Sequence, residues 1–168
     1  MKGYVTIGRI ARTHGLSGNV KVQPMTNVLQ VFDKIREALI YDEVRDEIYT
    51  LQVQEIKRTD RSILAKFYGI DSEKDAAKIV GLQIVMKVED LPQLNSKDEY
   101  YYYEILDVDV FDENGNFLGK VCDIIWTGSN EVLVVKDKDK EILLPMIHDY
   151  VLEFHRQKQL IVKVPEWI

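Results

Sequence analysis

The segment from residue 9 to residue 21 combines positive side chains with a glycine loop, a combination that suits phosphate binding. The side chains and glycines concerned are Arg9, Arg12, His14, Gly15, Gly18 and Lys21. Glycines in a loop of this kind let backbone amides approach an anion closely, and the cations attract RNA phosphates. The same two glycines also suit a tight connection that requires positive φ. Both interpretations of the loop stay open at this point.

The stretch KDEYYYYEIL, residues 97–106, contains four consecutive tyrosines. On a strand, the side chains of Tyr100–Tyr103 would alternate between two faces, so all four could not enter one core. One interpretation places Tyr101 and Tyr103 in a barrel core, with Tyr100 and Tyr102 against a linker and a first domain. The other is a partner surface, since tyrosine offers a large apolar area and a hydroxyl at small entropic cost.

Groups that could support catalysis do not converge. His14, His148 and His155 are far apart in the chain and lack metal-ligand spacing. Cys122 lies in the predicted strand KVCDII, which favours a small buried filler over a nucleophile. Neighbouring carboxylates fall in predicted loops, where solvation is the default. We therefore expect no enzyme, no catalytic residue, no metal site and no cofactor.

Charge is distributed unevenly along the chain, which has a net charge of −6. Residues 1–32 contain four basic residues and no Asp or Glu, whereas residues 89–168 contain 17 acidic and 8 basic residues. Such asymmetry is typical of two surfaces with different partners, although chance variation in solvated faces also produces it.

Bulk properties place the chain among globular proteins. A length of 168 residues suits one large or two small domains. A single cysteine cannot form an internal disulfide, and the N-terminal residues lack the apolar run of a signal peptide. No apolar stretch approaches the roughly 20 residues of a membrane span. We expect a cytoplasmic monomer without membrane contact.

Apolar residues recur mostly with the period of a strand. Strands are predicted near 5–11, 19–24, 39–44, 50–58, 62–69 and 82–88, a short helical piece near 26–35, and a helix over 71–81 with Asp71 or Ser72 as its N-cap. Hairpin turns are predicted at 114–115, 127–130, 137–140 and 156–158. The sequence thus predicts an all-β protein of two small β-barrels in tandem, with one or two short helices. The expected domains are residues 1–89 and 99–168, joined by a linker at 90–98.

Five motifs, in order and over essentially the whole chain, resemble the ribosome maturation factor RimM family. They are IGRIARTHGLSGNVKVQPMTN, FYGIDSEKDAAKIVGLQIVMKVEDLP, DEYYYYEIL, FLGKVCDI with TGSNEVLVV, and LLPMIHDYV. The resemblance implies a RimM-type first barrel and a second barrel of the PRC type. It also implies a non-enzymatic role in late assembly of the small ribosomal subunit.

The resemblance further assigns partners and residues. It implies binding to the small ribosomal subunit, to ribosomal protein nineteen of its head, and to the 16S rRNA of that region. The family's tyrosine pair, linked there to ribosome binding, aligns with Tyr100 and Tyr101. An acidic second barrel would attract a basic ribosomal protein, and the acid-free first segment would face RNA.

The chain departs from the family pattern at several positions. Asn19 and Asn27 stand where the family usually has acidic residues, Asp107 where a glycine is usual, and Met146 where a Phe is common; Trp167-Ile168 replaces a Gly-Leu. Asp107 bears on local turn geometry, and the role of the two final residues is open.

Two other functions fit the sequence less closely. One is a general protein-binding adaptor with a PRC-type barrel and no ribosomal role, which would bind without ribosomal RNA. The other is a hydrolase or transferase centred on His14, which no nucleophile or cofactor motif supports.

Overall fold

The protein is described here by a computed structural model that covers residues 2–59, 62–127 and 130–166. It divides into two compact units, Met1–Tyr101 and Tyr102–Ile168. The predicted all-β class is confirmed, because the described residues form twelve strands, one α-helix and three short 3₁₀ turns. Residues 90–98, expected to form a linker, fall within the first unit.

The first unit is a closed six-stranded barrel. Its strands are β1 Tyr4–His14, β2 Asn19–Pro24, β3 Glu37–Asp42, β4 Glu47–Arg58, β5 Ile63–Phe67 and β6 Gln83–Lys87. Their order is β1-β2-β5-β4-β3-β6, and antiparallel pairing of β1 with β6 closes the barrel. Alternate residues enter the core, as the burial of Val20, Val22, Ile63, Ala65 and Phe67 shows.

A phenylalanine fills one part of the barrel interior. Phe32 comes from the predicted helical piece, which forms the 3₁₀ turn Leu29–Phe32, and it is 1% exposed. A Cβ built on Gly8 would lie 3.1 Å from the Cζ of Phe32 and 2.9 Å from the Cγ1 of Val22. The glycine on β1 therefore provides the space that the aromatic ring occupies.

The predicted helix forms but is shorter than expected. Helix α1 spans Glu73–Ala77, and the Ser72 hydroxyl accepts a hydrogen bond from the Asp75 amide at 3.1 Å, as an N-cap should. After Ala77 the amides of residues 78–80 donate to carbonyls three residues back, and the Gly81 amide then donates to the Ile10 carbonyl at 2.7 Å. Gly81 accommodates this exit with a φ of 92°.

The second unit is a six-stranded sheet. Its strands are β7 Asp109–Asp112, β8 Phe117–Trp126, β9 Glu131–Asp137, β10 Lys140–Pro145, β11 Val151–His155 and β12 Gln159–Val162. Their order is β10-β9-β8-β7-β12-β11, with β12 and β7 parallel. The turns predicted at 114–115, 137–140 and 156–158 join paired strands. The turn predicted at 127–130 includes Gly128 and Ser129, which lie outside the described residues.

Asp107 adopts the geometry that a glycine would accept more easily. Its φ is 63°, in the left-handed region. Aspartate tolerates this region better than most residues that carry a Cβ. The departure from the family's usual glycine is therefore compatible with a left-handed turn before β7.

The four tyrosines do not lie on a strand, so alternation does not govern them. Tyr101 forms an isolated bridge with Thr26, and Tyr102–Glu104 is a 3₁₀ turn. Tyr100, Tyr101 and Tyr102 are 1%, 3% and 3% exposed, whereas Tyr103 is 40% exposed. The interpretation that places both Tyr101 and Tyr103 in the core of the second barrel is wrong for Tyr101, which joins the core of the first unit.

Hydrogen bonds tie the tyrosine segment to the start of the 3₁₀ turn in the first unit. The Thr26 hydroxyl donates to the Tyr100 carbonyl at 2.6 Å, and the backbone amide of Asn27 donates to the same oxygen at 3.2 Å. The Asn27 side chain accepts from the Tyr100 amide at 2.7 Å and donates to the Asp98 carbonyl at 2.6 Å. We call this group, Thr26 and Asn27 with residues 98–100, the tyrosine clasp.

Changes in the tyrosine clasp should destabilise the first unit. Thr26→Val keeps the shape of a fully buried side chain but removes a buried hydrogen bond, so we expect a loss of about 1–3 kcal/mol in unfolding free energy. Asn27→Asp removes the side-chain donor and places an anion beside the Asp98 carbonyl, so it should also destabilise. Denaturant unfolding measures both. Wild-type stability in both variants would show that the clasp contributes nothing.

Candidate nucleic-acid interface

The predicted RNA-binding side chains lie on the outer face of one hairpin. Strands β1 and β2 pair Arg9 with Gln23, Arg12 with Lys21, and His14 with Asn19. A register shift between Ile10 and Arg12 adds one residue to β1. Val20 and Val22 point into the core, so the alternate residues of β2, which include Lys21 and Gln23, point outward. The β1 residues that pair with these outward residues point outward too.

These cations are available to an external ligand. Arg9, Arg12 and His14 are exposed and Lys21 is half-buried. Among the described residues, none of the ion pairs involves Arg9, Arg12 or Lys21. The outer face of the hairpin therefore presents positive charge that the described part of the chain leaves without a paired carboxylate.

The two glycines of the loop have different surroundings. Gly15 has a φ of 69°, is exposed, and would have open space around a Cβ. Gly18 has a φ of 96° and is buried, and a Cβ there would lie 2.0 Å from the Ile70 carbonyl oxygen. Gly18 thus serves a close backbone contact, while Gly15 remains at the exposed tip of the hairpin.

The contact at Gly18 is reinforced by a lysine that does not face solvent. The Lys66 ammonium donates to the carbonyls of Phe67 and Ile70 and to the Asp71 carboxylate, the last at 2.9 Å. Its side chain is only 12% exposed. This geometry brings Asp71 beside an acid-free segment, where its carboxylate pairs with Lys66.

The pairing of β2, β5 and β4 adds a cation that the sequence alone did not single out. Lys21 pairs with Leu64, and Leu64 pairs with Lys57. Arg12, Lys21, Leu64 and Lys57 therefore form one transverse row, which we call the cation row. The sequence could not reveal it, because the four residues come from strands whose register is set by tertiary structure.

The tyrosine pair is buried, so its side chains do not form an exposed contact surface in this conformation. Tyr102 is buried as well, and burial together with Glu131 and Asp123 raises the pKa of its hydroxyl above the usual value. Tyr103 is the exposed member of the run. Tyr100 enters the tyrosine clasp through its backbone amide and carbonyl, and Tyr101 forms the isolated bridge with Thr26.

Cys122 is exposed, although the sequence predicts a buried side chain. The prediction of a buried filler is wrong, because Cys122 is exposed on β8. The strand register shifts between Val121 and Asp123, and this bulge turns the cysteine outward. Among the described residues, no three His, Cys, Asp or Glu side chains lie together as a metal site would need, and no helix is long and apolar enough to cross a membrane.

Alanine at the two glycines should separate their roles. Gly18→Ala forces a Cβ into the Ile70 carbonyl at positive φ, so we expect a loss of about 3 kcal/mol in unfolding free energy. In Gly15→Ala the new Cβ meets open space, so the unfolding free energy should fall by about 1 kcal/mol, which is the cost of a positive φ for alanine. Thermal and denaturant unfolding measure both variants. Equal losses would contradict the assignment of Gly18 to a packing contact.

Two family models match the chain. The RimM N-terminal domain matches residues 5–91, and the PRC-barrel domain matches residues 97–165. Among solved structures, a Pseudomonas aeruginosa chain described as a 16S ribosomal RNA processing protein RimM has a TM-score of 0.48 and is 25% identical. That likeness covers 98% of this chain and 99% of the other.

Curated relatives match along the full length. A protein of Pseudothermotoga lettingae named ribosome maturation factor RimM is 52% identical over 168 residues, covering all of both chains. One of the same name from Thermotoga maritima is 45% identical over 165 residues, covering 98% of this chain and 93% of the relative. The two domain matches and these identities confirm the resemblance seen in the motifs: the chain belongs to the RimM family.

Proposed function

We propose that this protein is a non-enzymatic assembly factor of the small ribosomal subunit, which acts in the cytoplasm. It binds 16S rRNA of the subunit head through the first barrel and ribosomal protein nineteen through the second unit. The family to which the chain belongs supports the general role, since its curated relatives are named ribosome maturation factors. The RNA part rests on the positive outer face of the β1–β2 hairpin, whose Arg9, Arg12 and Lys21 form no ion pair with the other described residues.

The first barrel engages RNA through charge rather than through base edges. Arg9, Arg12 and Lys21 project from a rigid wall, where they can contact successive backbone phosphates. His14 and the exposed Gly15 lie at the end of the same hairpin and extend this face. Gly18 contributes indirectly, because it fixes the loop against Ile70.

Charge reversal on the hairpin tests the RNA part. Arg12→Glu/Lys21→Glu should weaken binding to head-region 16S rRNA at least about tenfold, and the slope of log affinity against log salt should fall by about 1.5. Arg45→Glu, at an exposed arginine in the turn between β3 and β4, is the matched control and should bind normally. Unchanged binding by the double variant would remove the hairpin from the interface.

The second unit has the charge and the exposed apolar side chains needed for a basic protein partner. Its described residues, 102–127 and 130–166, include 13 acidic and 7 basic residues. Three of the seven basic side chains pair with acids of the same unit. The acidic excess favours a partner of opposite charge.

An apolar face of the sheet lies beside this charge. The row of Ile124, Leu133 and Leu144 points into the core, with exposures of 3%, 0% and 1%. The exposed side chains of the two neighbouring rows, Ile125 at 43% and Leu143 at 46%, belong to the outer face. Val134, which lies between Leu143 and Asp123 in its row, is 7% exposed, so this face is open only in part. We place the contact with ribosomal protein nineteen on this outer face.

A leucine substitution tests the protein part. Leu143→Asp should weaken capture of ribosomal protein nineteen by the full-length protein at least about tenfold, because it puts a charge in an apolar contact. Leu152→Asp is the control, since Leu152 is equally exposed, at 47%, but lies on the opposite edge strand β11. Equal capture by both variants would contradict this placement.

The tyrosine pair supports binding by positioning. The backbone of Tyr100 in the tyrosine clasp and the bridge of Tyr101 to Thr26 hold residues 98–101 against the first barrel, and we propose that the ribosome-binding role linked to this pair depends on that order. No bond is made or broken in this account. Binding energy shifts the immature subunit head towards a productive arrangement, and the factor leaves as mature contacts form.

A further inference from the structure

The positive side chains on the outer wall of the first barrel extend beyond the β1–β2 hairpin. The cation row crosses four neighbouring strands, from Arg12 on β1 to Lys57 on β4. Adjacent strands lie about 4.8 Å apart, so the backbones of Arg12 and Lys57 are separated by about 14 Å. Leu64, which is half-buried, is the apolar member of the row.

Lys57 is free to contribute to an external contact. Within the part of the chain that the structure describes, it pairs with Glu55 at 3.8 Å, and the two side chains are 69% and 56% exposed. An ion pair of this length and exposure is worth little and is easily exchanged for a phosphate. Lys57 thus continues the positive charge of Arg12 and Lys21 across β5.

An exposed aromatic ring belongs to the same wall. Tyr68 directly follows Phe67, the last residue of β5, and it is 62% exposed. Its backbone amide donates to the Gln52 carbonyl at 2.9 Å, which fixes the ring's attachment point. Tyr68 lies two residues before Ile70, whose carbonyl contacts Gly18, so the ring is at the same end of the barrel as the hairpin tip.

We propose that this wall binds single-stranded RNA, with Lys57 extending the phosphate contacts of the hairpin and Tyr68 stacking on an unpaired base. The inference rests on the proposed RNA-binding function and specifies its substrate class. Cations in a row neutralise the backbone without reading sequence, and an exposed aromatic ring stacks on a base that is not already paired. A duplex would offer the cations its phosphates but would give Tyr68 nothing to stack on.

The phosphate part is tested with Lys57→Gln. The probe is a labelled single-stranded oligoribonucleotide of about 12 nucleotides, titrated with the full-length protein at about 50–200 mM salt. We expect weaker binding and a slope of log affinity against log salt that is smaller by about 0.7, the value for one lost phosphate contact. Arg45→Gln is the matched control, because Arg45 is also highly exposed and also lies 3.8 Å from a carboxylate.

The stacking part is tested with two substitutions at Tyr68. Tyr68→Ala should bind the single strand about 5- to 100-fold more weakly, while Tyr68→Phe retains the ring and should bind as the wild type does. A duplex RNA of the same length should bind the wild type more weakly than the single strand and should not distinguish Tyr68→Ala from the wild type.

The outcomes separate this inference from the function on which it rests. Absence of RNA binding by the wild type would overturn both. Binding that is lost in Arg12→Glu/Lys21→Glu but intact in Lys57→Gln and Tyr68→Ala would overturn the inference alone. Equal binding of single strand and duplex would overturn the choice of single-stranded RNA. If changes at Lys57 and Tyr68 impair capture of a ribosomal protein but leave RNA binding intact, the wall is a protein-binding surface and the inference is wrong.

Discussion

Closure of the first barrel fixes which side of every strand faces the core, and the candidate RNA face depends on that constraint. Once Val20, Val22, Ile63 and Ala65 are committed to the interior, their neighbours on β2 and β5 have to point outward. The closed pairing also removes free edges, so register cannot slip without exposing apolar side chains. Burial of the inward apolar side chains therefore fixes the outward direction of the charged side chains on the same strands.

Close backbone contacts and hydrogen bonds complete this arrangement at both ends of the first unit. At one end, Gly18 lies against the Ile70 carbonyl in the turn before α1, and Lys66 donates to the same carbonyl. Just before the 3₁₀ turn, Thr26 and Asn27 hold the backbone of Tyr100. In both places the partner is a backbone atom: the Ile70 carbonyl in the first, and the Tyr100 amide and carbonyl in the second.

Much of the fold follows from the sequence, for identifiable reasons. Period-two alternation predicts β2 and β5, the Asn114-Gly115 turn predicts the β7–β8 hairpin, and Ser72 caps α1 as expected. The sequence does not reveal the early end of α1, after which the chain turns back and Gly81 bonds to Ile10 on β1. The tyrosine run is misleading for a similar reason, because a 3₁₀ turn replaces the strand that its composition suggests.

The candidate site shows the same division between local and long-range information. The hairpin cations are visible as an acid-free stretch of sequence, and their common outer face follows from alternation along β1 and β2. Lys57 lies 36 positions after Lys21 in the chain, and it joins the row only through two strand pairings. Cys122 is exposed because of a bulge that no local pattern signals.

The central claim is that this chain recognises an immature small ribosomal subunit, and cosedimentation of the purified wild-type protein with immature and mature small subunits tests it most directly. The account predicts binding to immature subunits at physiological salt and markedly weaker binding to mature ones. Equal binding to both would contradict a role in assembly. No binding to either would favour an adaptor that has no ribosomal partner.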